Sequence, residues 1–151
     1  EAKKEAEALP TIKGDGSAKL VTGSLLKETG VPLRLIMRQM DPAPKGYGIE
    51  AHYKVLTGKG TAKKALPDAL MTEDLVLTAF QVAVIAELAK LHTPEKGAKN
   101  VKEFLKFADE MQKTAANLAD ATKKKEGGVA LAEVYRVTLT CNKCHAKFRE
   151  D

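Results

Sequence analysis

The stretch TLTCNKCHAKFRED, residues 138–151, holds both cysteines of the chain, Cys141 and Cys144, followed directly by His145, one of only three histidines. The motif residues and several residues before them recur at the spacing of an α-helix, along one side of a segment from about Val129 to Arg149. They are Leu131, Val134, Tyr135, Thr138, Cys141, Cys144, His145 and Phe148. The cysteine motif is therefore predicted to lie near the end of a long helix.

Three common roles of Cys-x-x-Cys suit this context poorly. A disulfide oxidoreductase places the motif at the start of a helix that follows a strand, because the helix N-terminus stabilises the thiolate. A structural zinc site needs four ligands, and the motif supplies three. His52 or His92 would have to supply the fourth from a distant part of the sequence. A disulfide between two cysteines three residues apart would strain the helix.

The interpretation that fits the motif is covalent attachment of one haem c. In Cys-x-x-Cys-His the two thiols, here Cys141 and Cys144, add to the vinyl groups of the porphyrin. The adjacent His145 then binds the iron from the same side. A zinc site and a plain pair of thiols remain as alternatives.

Composition and chemistry agree with a buried haem. The chain has 151 residues with no Trp, three Tyr and four Phe, and a haem would fill space that large side chains otherwise fill. Thioether formation requires reduced cysteines, export of the apo-protein and a maturation system. A periplasmic or other extracytoplasmic location is therefore expected.

A second helix is predicted from Thr72 to His92. Thr72 is a suitable N-cap, and two acidic residues follow it in the first turn. Large apolar residues then recur at helical spacing: Leu77, Phe80, Val84, Ile85, Leu88 and Leu91.

A third helix is predicted from Asn100 to Lys125. Asn100 and Glu103 have the spacing of a capping box, and Gly127 is expected to close the helix,. Its apolar stripe consists of Val101, Phe104, Leu105, Ala108, Met111, Ala115 and Leu118.

The first half of the chain has a weaker pattern. Residues 1–30 are interpreted as an irregular N-terminal arm, with a short helix near Leu20–Lys27. Leu33, Ile36, Met37 and Met40 lie on one face of a short helix,. Residues 41–70 form an insertion with one further short helix. The fold class is all-α, and residues 31–151 are predicted to form an antiparallel four-helix bundle with a short or broken first helix.

Charge and hydropathy exclude several classes of protein. The formal net charge is +5, which favours an acidic partner. Nucleic-acid binding would require a denser basic patch with interleaved aromatic residues. No apolar run approaches the ~18 residues of a membrane span. The glycines of TGKGTAKK, residues 57–64, lack the order of a phosphate loop,.

The sequence CNKCHAKFR at the end of the last predicted helix resembles the class II c-type cytochromes, the cytochrome c′ family and its low-spin relatives. The resemblance is specific over residues 129–150, and LRLIMRQM is similar to the first-helix segment of that family. It implies an antiparallel four-helix bundle with haem between the helices. It also implies electron transfer, or gas binding where the sixth position of the iron is empty, and it is compatible with a homodimer.

The sixth position of the iron has several candidate ligands. Met37 is favoured because it lies about two turns into the first predicted helix, whose start neighbours the end of the last helix in such a bundle. A thioether ligand would raise the reduction potential. Met40, His52 and His92 are alternatives, as is an open site. Met37 and Met40 also fit an ordinary core stripe.

Three further residues are candidates for haem contact. The resemblance implies that Arg149 meets a propionate, and Arg38 could do the same from the first helix. Phe148 lies one turn beyond His145 and is expected to pack on the porphyrin. Surface arginines and a core phenylalanine are the structural alternatives.

These observations lead to three hypotheses about function. The first is a periplasmic mono-haem electron carrier with a redox partner that presents an acidic surface. The second is a five-coordinate haem protein that binds NO or CO. The third is a haem subunit of a larger redox complex. An enzyme is not expected, because peroxidase-like chemistry requires a distal acid–base pair, to which only His52 or Arg38 could contribute.

Overall fold

The computed structural model describes residues 32–42, 44–60, 64–92 and 98–148. The predicted arm, residues 1–30, and Arg149 lie outside the described residues. Within the described ranges the regular structure is entirely helical, which confirms the all-α prediction. The helices are α1 (Leu33–Met37), α2 (Ile49–Gly60), α3 (Glu73–Ala89), α4 (Ala98–Lys123) and α5 (Gly127–Phe148), with 3₁₀ turns at Arg38–Met40 and Asp68–Leu70.

The helices α3, α4 and α5 pack against one another in sequence order. At the end of α3, Lys90 Nζ lies 2.7 Å from Asp109 Oδ1 of α4 and donates a hydrogen bond to Gln112 Oε1. Lys147 near the end of α5 pairs with Glu103 near the start of α4. Each helix therefore runs antiparallel to the next. Their shared core includes Leu75, Ala79, Val82, Ala86, Ala115, Leu118, Ala130, Val134 and Val137.

The predicted insertion, residues 41–70, contributes to the core. Its helix α2 runs antiparallel to α5 and buries Ile49, Tyr53 and Leu56, which recur at the i, i+4, i+7 spacing of one helical face. Tyr135 Oη of α5 donates a hydrogen bond to the carbonyl oxygen of Thr57. Tyr135 was expected to lie on the packed side of α5, but it is exposed.

The predicted first helix is interrupted. The α-helix ends at Met37, and a 3₁₀ turn carries the chain to Met40. Ile36 is buried, whereas Met37 and Met40 are partly buried against the core. The segment contacts α3.

Helix α3 begins as predicted, since Thr72 Oγ1 accepts a hydrogen bond from the backbone N–H of Leu75. However, only part of the stripe of large residues in its sequence lies on its buried face, where Ile85 is in the core. Ala79, Val82 and Ala86 are fully buried, because small side chains allow the neighbouring helices to approach closely. Leu77 and Phe80 are exposed instead, together with Val84.

Two predictions about the ends of α4 are wrong. Asn100 lies inside the helix, which extends from Ala98, and so it is not the cap. The helix ends before Gly127, and Lys125 adopts the left-handed conformation with φ of 58°. Lys125 Nζ donates a hydrogen bond to the carbonyl oxygen of Met71. Gly127 is the first residue of α5.

Gly127 is needed for close packing, and its substitution tests this role. Its carbonyl oxygen accepts a hydrogen bond of 2.9 Å from the N–H of Leu66, and a Cβ at this position would collide with the Leu66 carbonyl. Gly127→Ala is expected to lower the free energy of unfolding by about 1–3 kcal/mol, measured by urea denaturation. Gly128→Ala is the control, because its Cβ would lie 3.8 Å from the nearest backbone atom. Equal effects of the two substitutions would contradict the explanation.

Candidate functional site

The cysteine motif occupies the last two turns of α5. Cys141 and Cys144 are free thiols, three residues and so about one turn apart along the helix. His145 follows Cys144 and is exposed. The prediction that the motif lies deep in a helix and near its end is therefore confirmed. This position excludes the helix N-terminus that would stabilise a thiolate in an oxidoreductase.

Cys141 is the more enclosed of the two thiols. It packs against the hydrophobic core on the side of α5 that faces α2. Burial raises the pKa of its thiol to about 11, and the negative charges of Cys144 and Glu50 add to the effect. Burial also raises the pKa of the Cys144 thiol. Both groups are therefore protonated near neutral pH.

Tyr53 is a component of this region that the sequence analysis did not select. Its side chain is only 5% exposed, and its hydroxyl has no hydrogen-bond partner among the described residues. Burial raises the pKa of the hydroxyl, and the Cys141 thiolate charge raises it further. A buried hydroxyl without a partner is unfavourable, so this side chain offers a donor to a group bound beside Cys141. The i, i+4 spacing of Ile49 and Tyr53 was the available signal.

Phe148 lies one turn beyond His145 in a small aromatic cluster. Its ring makes an edge-to-face contact with Phe104 at 5.4 Å between centroids and a second with Phe107 at 6.2 Å. The cluster attaches the end of α5 to the start of α4. Phe148 is thus partly buried by protein side chains, and its predicted contact with a porphyrin stays a prediction.

The predicted residues of the first helix differ in burial, and Met37 packs against the same hydrophobic core as Cys141. Arg38 is exposed and Met37 is partly buried. Met37 and Arg38 stay predictions as haem ligand and haem contact.

The alternative distal ligands also have defined environments. His52 Nδ1 lies 3.3 Å from Thr78 Oγ1, and that hydroxyl donates its hydrogen to the carbonyl oxygen of Asp74. His92 Nε2 is buried at the end of α3 and has no partner in the part of the chain that is described. Met40 is partly buried against the core.

A groove of about 360 Å³ runs between α4 and α5. Leu139 and Lys143 line it, and each is two residues from Cys141, which places them on the opposite side of the helix. The groove therefore opens away from Cys141. Exposed Lys106 and Lys143 make part of its rim basic, and Glu110 is also present.

The side chains around the motif that could bind a metal can be compared with the requirements of a zinc site and of a covalently attached haem. No group of three or more His, Cys, Asp or Glu side chains within the described ranges is arranged to hold a metal ion. A closed zinc site, which needs four ligands, thus finds no support there. A covalently held haem requires two thiols and one imidazole on the same helix end, and Cys141, Cys144 and His145 meet that requirement. The unpartnered hydroxyl of Tyr53 beside Cys141 agrees with a bound group at this place.

The raised pKa values lead to a prediction about the reactivity of the two thiols. Because the thiolate is the reactive form, Cys141 should react slowly with iodoacetamide at pH 8, and its rate should rise until the pH passes about 11. Cys144 should react faster at every pH below that value, because it is more exposed to solvent. Mass spectrometry of peptides after timed alkylation gives both rates. A Cys141 rate that levels off near pH 9 would contradict the burial of this thiol.

Neither hydropathy nor comparison with known proteins identifies a function for this chain. None of the helices in the described ranges combines the length and the hydropathy that a membrane crossing requires. The chain matches no model of a known protein family, no curated protein and no solved structure.

Proposed function

We propose that this chain is a mono-haem c-type cytochrome that transfers electrons. The proposal depends above all on one observation, the placement of two free thiols and the following His145 on the last turns of α5. A haem held at this place would supply an iron that alternates between the ferric and ferrous states.

Each residue of the motif has a defined part in holding the haem. Cys141 and Cys144 would hold the haem by two thioether bonds, each formed when an S–H group adds across a vinyl double bond, with sulfur on one carbon and hydrogen on the other. No oxidant is needed. The His145 imidazole would supply a nitrogen ligand to the iron, and the packing of Phe148 against Phe104 keeps this end of α5 in place. Tyr53 supplies a hydrogen-bond donor on the side of Cys141.

The four helices α2 to α5 are proposed to form the antiparallel bundle around the haem. Tyr53 of α2 lies beside Cys141, and Thr57 lies beside Tyr135. Helix α2 therefore takes the position next to the haem-bearing helix that the sequence analysis assigned to residues 31–40. Met37 is retained as the proposed sixth ligand, supplied by the short helix α1.

A proposed redox partner would carry an acidic docking surface. The formal charge of +5 falls by only about one when two ionised propionates and a ferric centre of net +1 are added. Lys143 and Lys147 lie on the haem-bearing end of α5. Association with an acidic partner should therefore slow as ionic strength rises. Stopped-flow rates at several salt concentrations test this, and a rate that stays flat or rises would contradict it.

Extraction of the haem tests the central proposal. The chain is produced with a c-type maturation system and treated with acid and organic solvent. Haem absorbance is expected to remain with the polypeptide, and mass spectrometry should show one haem added to the peptide that contains Cys141 and Cys144. Haem that passes entirely into the solvent would contradict covalent attachment.

Gas binding is the second candidate, and the unpartnered hydroxyl of Tyr53 favours it. A buried donor beside the attachment site could stabilise a small polar ligand such as NO. Ferric and ferrous absorption spectra, with and without carbon monoxide, distinguish the two functions. An electron carrier with six-coordinate iron binds carbon monoxide slowly, whereas an open site binds it at once. A haem subunit of a larger redox complex remains a third proposal, which co-purification of partner proteins would test.

A further inference from the structure

The outer face of α3 is an exposed apolar surface. Leu77 is 57% exposed, Phe80 46% and Val84 41%. Leu88 and Leu91 continue the row and are partly buried. A surface helix normally presents polar residues to solvent, and a contiguous apolar patch usually marks a place where something binds. We call these five residues the α3 patch.

The inner packing of α3 shows why the patch points outward. Ala79, Val82 and Ala86 are fully buried against the other helices, and they occupy the opposite side of the helix. Lys123 of α4 places its ammonium 4.9 Å from the centroid of the Phe80 ring, which holds that ring at the edge of the α4 contact. A rotation of α3 that buried the patch would expose this alanine-rich face and break the close packing.

We propose that the segment LVTGSLL, residues 20–26, covers the α3 patch in the same chain. The segment has four large apolar residues among seven, which suits an apolar surface. The described chain begins at Pro32, directly before α1, and α1 contacts α3. The covering segment is therefore joined to a helix that contacts α3. This proposal does not depend on the haem.

The length of the connection allows this contact. The six steps from residue 26 to residue 32 span at most about 20 Å when extended. Helix α3 has 17 residues and is therefore about 25 Å long. A connection of this length is therefore comparable to most of the length of α3.

Tethering also favours this segment over a second copy of the chain. A short flexible linker gives an effective concentration on the order of millimolar. A second copy at micromolar concentration would have to overcome that advantage with a much larger interface. Tethering therefore favours the covering segment over a second copy of the chain as the occupant of the α3 patch.

Site-specific photocrosslinking of the full-length protein tests the proposal. A benzophenone amino acid replaces Val84 in the patch, and illumination is followed by mass spectrometric identification of the joined peptides. Joined peptides that contain residues 20–26 of the same chain are expected. The control places the same amino acid at Asn117, an exposed position on α4, where that segment should not be captured.

Charge insertion provides the second arm of the test. Leu25→Asp should lower the yield of the Val84 crosslink by about tenfold, because a charged group would have to leave water to reach the patch. Ala8→Asp, elsewhere in the arm, should leave the yield unchanged. Crosslinks between two chains, crosslinks to a different protein, or an unaltered yield in Leu25→Asp would each overturn the proposal.

Discussion

Cys141→Ser is expected to leave the haem bonded to the chain through Cys144 alone. A serine hydroxyl does not add to a vinyl group, so one vinyl remains conjugated with the porphyrin. The reduced pyridine spectrum should therefore shift to longer wavelength relative to the wild type. Cys144→Ser should give the same shift through the other vinyl group. The double substitution should yield protein whose haem, if any, is completely extracted by acid and organic solvent.

The amount of mature protein should differ between the Cys141→Ser and Cys144→Ser variants. Cys141 packs against the core beside α2, so its replacement by a polar residue should also reduce stability and the amount of mature protein. Cys144 is less enclosed and should tolerate the change better. Asn142→Ser is the matched control, because this residue lies between the cysteines and is exposed. Its spectrum and yield should equal those of the wild type. Covalently bound haem in the double variant would contradict the proposed attachment through these two cysteines.

Met37→Ala is expected to convert the iron from low spin to high spin. If the Met37 thioether is the sixth ligand, the ferric wild type shows thioether-to-iron charge transfer, and carbon monoxide must displace that bond before it binds. Loss of the ligand should lower the reduction potential and accelerate carbon monoxide binding. Absorption spectra, redox titration and flash photolysis measure the three effects.

Met40→Ala is the control for the sixth ligand. Met40 is partly buried against the core, so its truncation should cost less than the ~2–5 kcal/mol of a fully buried methionine and leave the spin state unchanged. A high-spin wild type that does not respond to Met37→Ala would remove the proposed ligand. The open, gas-binding site beside Tyr53 would then be the better proposal.

Local patterns in the sequence were sufficient to predict most of the helices. The apolar stripe of α4 agrees with its buried face at Phe104, Met111 and Leu118, because one face of this helix packs and the other is solvated. The Thr72 cap was also predictable, since the hydrogen bond from Leu75 is local. The position of the motif on α5 follows from the same kind of periodicity. What the motif binds remains a proposal, because it depends on chemistry outside the chain.

Tertiary structure alone decided which residues surround the motif. Residues 41–70 were predicted as an insertion, yet α2 packs on α5 and places Tyr53 beside Cys141. This contact joins parts of the chain that are about ninety residues apart, and no local spacing encodes it. Gly127 is a similar case: in the sequence it resembles a helix stop, but it permits contact with Leu66.

Helix α3 shows the same division most clearly. Its sequence is apolar on nearly every side, so periodicity established a helix but could not choose the buried face. The choice depended on how closely α4 and α5 can approach. The face that they cover combines Ala79 and Ala86 with the larger Leu75 and Ile85. The sequence by itself therefore determined the helix and the chemistry of the α5 motif. Packing distances between helices decided which side of α3 faces solvent, because close approach is a property of two surfaces together.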